Sequence, residues 1–291
     1  MVSKVDASEL IKKVRKIEIK TRGLSQHIFA GEYHSAFKGR GVTFSEVREY
    51  QYGDDIRNID WNVTARFNHP YVKVFEEERE LTVLLLVDTS SSRNFGSVSQ
   101  LRRNILTEIS AVLSFSAIQN NDKIGLILFS DRVEKFIPPK KGKKHILHII
   151  RELINFNPIS TNTDLTEALI FLTNAIKKRC TVFIISDFIC PGFEEPLKIA
   201  SRKHDIVALQ IYDQRDMEIP DMGLVKFTDS ETGKEKWVDT SLKKIRRIYS
   251  ENWNKRQKQL QNSFKRTGVD NTSVSTSEDY IKPLITLFKK R

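Results

Sequence analysis

Residues 81–291 predict a doubly wound α/β domain on a mainly parallel sheet. Four runs, "TVLLLV", "KIGLILF", "TVFIIS" and "DIVALQIY", are rich in β-branched and large aliphatic residues and apolar on both faces. Strands covered by helices on both sides have that composition. Helical patterns separate the runs, and this alternation is the order of parallel crossover units. The first and third runs each end in an aspartate, Asp88 and Asp187.

Taken in order, the run at 82–87 is followed by Leu101, Ile105, Leu106, Ile109, Val112 and Leu113, whose three-to-four spacing makes one buried helical stripe. "HILHIIRELINF", "DLTEALIFLTNAI" and "EEPLKIASRK" supply three more helices. "GLVKFTDSETGKEKWVD" breaks the alternation and reads as a hairpin near 222–240, turning near Thr232–Gly233. Helical segments near 241–266 and 277–289 enclose a short extended piece, "VDNTSVST". The first eighty residues differ. A short amphipathic helix near 7–17 (Leu10, Ile11, Val14, Ile17) leads into a stretch dense in Gly, Arg, Asp, Glu and aromatics. Short strands and turns are expected there, giving a small β-rich lobe at 1–80 ahead of the domain at 81–291. No internal repeat or low-complexity tract interrupts this order.

With 291 residues, 39% of them hydrophobic, the chain can bury a sizeable core. No segment approaches the roughly 18 consecutive apolar residues of a membrane span. The N-terminal "MVSKVDASELIKKVRKIEIK" lacks the unbroken apolar stretch of a secretory signal. Cys180 and Cys190 stand in no CxxC spacing and suggest no disulfide framework. A cytoplasmic protein is expected. The net charge of +11 permits nucleic acid, an anionic surface or an acidic protein as partner. Its bases are spread along the chain, clustering only at "PPKKGKKH" and in the last helical stretches. Aromatics do not alternate with them as on single-strand binding surfaces, so solvated surface charge is favoured over a nucleic-acid face.

Ligands of an open α/β sheet gather outside the carboxyl ends of its strands, where strand order reverses. Asp88 sits at such an end. The chain leaving a strand is still extended, so Asp88, Ser90 and Ser92 can face one point. One carboxylate with two hydroxyls is a set of hard oxygen donors suited to Mg²⁺ or Mn²⁺. The same Ser and Thr residues also read as caps of the helix that follows. "VFIISDF" ends a second strand in Asp187, and "STNTDLTEAL" places Thr163 in a loop before a helix.

This D-x-S-x-S, then Thr, then Asp order resembles the metal-ion-dependent adhesion site of von Willebrand factor type A domains. The resemblance implies a metal site of Asp88, Ser90, Ser92, Thr163 and Asp187, with the aspartates bound directly or through water. That family has glycine after the last aspartate, where this chain has Phe188. The block from "GEYHSAFKGRGVTFSEVREYQYGDDIRNIDW" through "VLLLVDTS", and the final "DYIKPLITLFKKR", resemble the bacterial family called domain of unknown function fifty-eight. That likeness implies association with AAA+ ATPases of the MoxR type. The expected role is a non-enzymatic adaptor or assembly factor, its ion keeping an open position for an acidic side chain of a client protein.

Other chemistries fit less well. A phosphatase of the haloacid dehalogenase type needs a second aspartate where Ser90 stands. His145 and His148 share a helix face but lack a third zinc ligand. No GxxxxGK[ST] loop occurs. "KGRG" at 38–41 suits a tight turn better than a phosphate cradle. In "REYQYGDDIRNIDW", Asp54, Asp55, Arg57 and Asp60 suggest a salt-bridged turn with Trp61 buried, the rival being a partner-facing surface.

Overall fold

The structure, a computed structural model, describes residues 43–76, 81–90, 102–160, 162–228 and 235–291, the side chains of 43–45 and 75–76 excepted. The expected helix at 7–17, the "KGRG" turn, Ser92, Leu101 and the hairpin turn at Thr232–Gly233 lie outside the described residues. Contacts divide the chain into two compact units, with the described residues of Lys38–Leu81 in one and those of Thr82–Arg291 in the other.

In the smaller unit, β1 (Thr43–Glu49) pairs antiparallel with β2 (Tyr71–Glu76). A 3₁₀ turn (Ile56–Asn58) and α1 (Trp61–Phe67) lie between them. The alternating charges of this stretch act as caps and clamps. Asp55 accepts from the Arg57 amide, and Asp60 from the amides of Asn62 and Val63, satisfying donors that a helix start leaves unpaired. Asp54 pairs in bidentate fashion with Arg48 at 2.7 and 2.8 Å. The expectation that Trp61 is buried is overturned. It is 70% exposed, because it opens a helix of only seven residues that has no buried face.

The larger unit contains β3 (Thr82–Asp88), α2 (Arg102–Gln119), β4 (Lys123–Phe129), β5 (Val133–Lys140), α3 (Lys143–Asn155) and α4 (Leu165–Ala175). It continues with β6 (Thr181–Ser186), α5 (Glu194–Lys203), β7 (Asp205–Tyr212), α6 (Gln214–Met217), β8 (Leu224–Thr228) and β9 (Glu235–Asp239). It closes with α7 (Lys243–Thr267), β10 (Asp270–Ser275) and α8 (Ile281–Lys289). Six strands form one sheet in the order β10-β7-β6-β3-β4-β5. All neighbours run parallel except β5, which is antiparallel to β4. This is the fold expected of a von Willebrand A-type, Rossmann-like domain. β8 and β9 form the expected antiparallel hairpin.

Two sheet members escape the apolar pattern. β5, "VEKFIPPK", carries two prolines, and β10, "DNTSVS", is polar. Both are edge strands, which have one free ladder and less need of apolar residues on both faces. The four central strands are buried almost throughout.

One sheet face, with Leu84, Leu86, Ile127, Phe129 and Ile184, packs against Leu169 and Leu172 of α4, Leu197 of α5 and Phe264 of α7. On the other face Phe183 meets Phe288 of α8 edge-on at 6.3 Å. The predicted stripe on α2 is buried from Ile105 to Leu113, and so is most of the helix's circumference. Its buried Ser110, Ser114 and Ser116 donate to the carbonyls one turn back, so no hydroxyl is left unpaired. After β5 the chain crosses to β6, on the far side of β3. The carboxyl ends of β3 and β6 therefore flank the switch point of the sheet.

Candidate metal-binding site

β3 delivers Asp88 to that switch point, and β6 delivers Ser186 and then Asp187. All three are buried. Asp88 Oδ1 accepts from the Ser90 amide at 2.9 Å, which folds the chain tightly after the strand. Its Oδ2 accepts from Ser186 Oγ at 2.7 Å. The same hydroxyl accepts from the Phe188 amide at 3.0 Å. Ser186 thus ties the two strand ends together. Thr89 anchors the turn to β4, its amide and hydroxyl both donating to the Phe129 carbonyl at 2.7 and 2.8 Å.

Asp187 Oδ1 accepts from the Ile189 amide at 3.0 Å, while Oδ2 meets Arg102 Nη1 at 3.0 Å. Arg102, also buried, reaches Asp216 through its other terminal nitrogen. Burial, and after it the charge of Asp187, pushes the Asp88 carboxyl up to about 6, against the lowering effect of its Ser90 and Ser186 hydrogen bonds. Burial also raises Asp216, an effect that Arg102 opposes. The Cys190 thiol is pushed up to about 12 by burial first, with the charges of Asp88, Asp187 and Asp164 adding to it.

Asp187 thus lies near enough to Asp88 for its charge to act on that carboxyl, and the Ser90 amide binds Asp88 directly. Thr163 is half-buried in the loop before α4, and its neighbour Asp164 donates its amide to the Ser130 carbonyl at 2.8 Å, just past the end of β4. Asp164 also caps α4 by accepting from the Thr166 amide. The loop thus lies at the carboxyl edge of the sheet, yet among the described residues no hydrogen bond joins Thr163 to Asp88, Ser90 or Asp187.

Arg102, Ser186 and Asp216 belong to the constellation but carry no motif that marks them. Phe188 stands where glycine is usual, and it takes the conformation glycine favours, φ +57°. Packing holds it there, with ring-centroid distances of 6.0 Å to Phe193 and 5.3 Å to Phe264.

The donor set fits a small hard cation. Asp88 and Asp187 bring two carboxylates to the switch point, Arg102 offsets part of the charge of Asp187, and the burial cost of the Asp88 charge is what a cation would relieve. Among the described residues no three His, Cys, Asp or Glu side chains gather as a metal site. Any ion here would thus depend on hydroxyl ligands beside its carboxylates. His145 and His148 do not act together. The Nε2 of His145 lies 2.9 Å from the Ile124 carbonyl, and the Nδ1 of His148 lies 3.2 Å from Arg151.

Comparison with known proteins agrees with this fold. The family model described as "Protein of unknown function DUF58" matches residues 46–259. The uncharacterized protein Mb1516 of Mycobacterium bovis is 30% identical over 232 residues, covering 79% of this chain and 73% of that protein. The uncharacterized protein YeaD of Bacillus subtilis is 30% identical over 109 residues, covering 38% of this chain and 25% of that protein. Among solved structures, an aerotolerance-related membrane protein from Bacteroides fragilis superposes with a TM-score of 0.50 at 17% identity. That superposition covers 72% of this chain and all of the other, and it shows a shared fold. By the match to its model and by these relatives, the chain belongs to the DUF58 family.

Proposed function

We propose that this protein is a non-enzymatic, metal-dependent protein-interaction module. The observation that carries the reading is the convergence of Asp88, Ser90 and Asp187 at the switch point of the sheet. The ion would be Mg²⁺ or Mn²⁺, held by these residues together with Ser92 and Thr163. When bound, it would offer an open coordination position to a carboxylate of a partner. The chain's own residues prepare that position. Ser186 and the Ser90 amide fix the orientation of Asp88, and Arg102 fixes Asp187 while offsetting part of its charge. The working role is an adaptor or assembly factor, linking a MoxR-type AAA+ ATPase to a client protein. Family membership and the resemblance of the site to adhesion-type metal sites support this role.

Two measurements test it. A ligand bound only by the folded state raises stability by RT ln(1 + [L]/Kd), about 2.7 kcal/mol at a hundredfold excess over Kd. Melting in millimolar Mg²⁺ or Mn²⁺ should show an upward shift that Asp88→Ala removes, and no shift at any concentration would refute metal binding. Co-purification with a MoxR-type ATPase should fall in Asp88→Ala and Asp187→Ala, and unchanged co-purification would refute the adaptor role. The rival reading, binding of nucleic acid through the +11 charge, predicts a complex that weakens steeply with salt and ignores EDTA at constant ionic strength.

A further inference from the structure

Beside the candidate metal site, the loop after β6 and the helix α7 enclose a groove of about 660 Å³. Its lining combines the buried rings of Phe188 and Phe193 and the buried Leu260 with the exposed Arg256 and Arg266. Both arginines lie on α7, ten positions apart, so about 15 Å separates them along the helix axis at 1.5 Å per residue. Neither makes an ion pair with a carboxylate among the described residues. A smaller cavity of about 180 Å³ shares Ile189 and Arg256 with this groove and reaches Asp216, the partner of Arg102.

Two exposed guanidinium groups on α7, with the exposed Ile189 and Pro191 on the loop after β6, select the chemistry of an occupant. We propose that this groove binds an extended acidic peptide segment of a partner protein, one carboxylate meeting Arg256, another meeting Arg266, and an apolar side chain between them. At about 3.3 Å per residue, an extended chain spans the interval in four or five residues, and arginine matches a carboxylate with two parallel donors. A nucleic acid fits less well. The exposed Glu194 on the same lining repels any anion at its own position, so two spaced carboxylates can avoid it where an unbroken row of phosphates cannot. The lip of the groove is held in shape by Phe188, whose left-handed backbone is fixed by contacts with Phe193 and Phe264. The inference rests on the reading of this chain as an interaction module, but not on its metal.

A fluorescein-labelled peptide tests it, with glutamates at both ends of a five-residue segment and leucine at its centre, titrated in EDTA and read by anisotropy. Binding to the wild type is expected, with at least tenfold weaker binding when Arg256→Glu and Arg266→Glu are combined. At least tenfold weakening is also expected when glutamine replaces both glutamates of the peptide. Affinity should be the same in EDTA and in millimolar Mg²⁺ at constant ionic strength, so loss of the metal-dependent reading and loss of the groove are distinguishable. Both arginines are exposed, and an unchanged melting temperature confirms that the double variant folds. Absence of binding to the wild type would overturn the proposal, as would equal binding by the double variant or by the glutamine peptide. Tighter binding of a single-stranded DNA oligomer, lost in the same variant, would assign the surface to nucleic acid instead.

Discussion

Arg102 and Asp187, 85 positions apart in the chain, meet in an ion pair of 3.0 Å that leaves 4% and 5% of their side chains exposed. Arg102 also holds Asp216. One guanidinium thus joins the start of α2, the end of β6 and the short α6. A buried ion pair replaced as a unit by apolar groups is often neutral, whereas removing one partner strands the other's charge. Arg102→Met should therefore lower stability by about 3–5 kcal/mol, measured by urea unfolding. Adding Asp187→Leu and Asp216→Leu should recover part of that loss, and no recovery would contradict the account in which stranded charge is what destabilises the single variant.

Asp88 behaves in the opposite way. Its carboxyl, pushed up to about 6 from an ordinary 3.8, is costly to ionise in the fold. Between those two values the folded state binds the extra proton, so this residue's contribution to stability rises as pH falls from about 6 to 3.8. At pH 8 in EDTA, Asp88→Asn removes the buried charge and should raise stability by about 1–3 kcal/mol. In Mg²⁺ the same variant should forgo the gain expected of the wild type. Thermal melts of both proteins under both conditions check the crossing, and a less stable variant in EDTA would contradict it.

These two residues also show what a sequence can disclose. Asp88 and Asp187 are legible because each ends a continuous apolar run, and burial on both faces is a local property of composition. Ser186 reads as one more strand residue, although its hydroxyl is the link between the two strand ends. Arg102 opens a helix whose sequence gives no reason for a buried guanidinium, since its partners are 85 and 114 positions away. Contacts at such separations are set by strand order, which no local pattern encodes. β5 hides for a related reason, and β10 reads only as a short extended piece, because edge position relaxes the demand for apolar residues. Trp61 misleads in the other direction. A large aromatic predicts burial, but its short helix has no buried face to offer.

Gly125 has a steric rather than a conformational role. A Cβ there would lie 2.8 Å from the Ile137 carbonyl oxygen, 2.9 Å from Leu84 Cδ2 and 2.9 Å from the Pro139 nitrogen. Two of these neighbours are backbone atoms of β5, at the irregular register where it pairs with β4. The edge strand cannot approach so closely over any other residue. Gly125→Ala should cost about 1–3 kcal/mol through overpacking, with faster amide exchange in β5 than in the central strands. Unchanged exchange in β5 would show that the sheet absorbs the methyl elsewhere.

His204 supplies a separate dependence on pH, remote from the carboxylates at the other end of the strands. It is buried just before β7, with Nδ1 3.3 Å from the Cys180 sulfur and, among the described residues, no hydrogen-bond partner for Nε2. Burial first, and then the charges of Lys203 and Arg179, lower its pKa from 6.5 to about 4. Between these values the unfolded chain binds a proton that the folded chain does not, so stability rises with pH across the window. The contribution is lost as pH falls through 6.5, and the loss is complete near 4. His204→Leu has nothing to protonate at this position. The stability difference between wild type and variant should therefore be constant above about pH 7.5 and shift toward the variant as the solution is acidified. Urea unfolding of both proteins from pH 8 to 4.5 measures that difference, and a constant value throughout would mean that His204 titrates in the fold much as it does in the open chain.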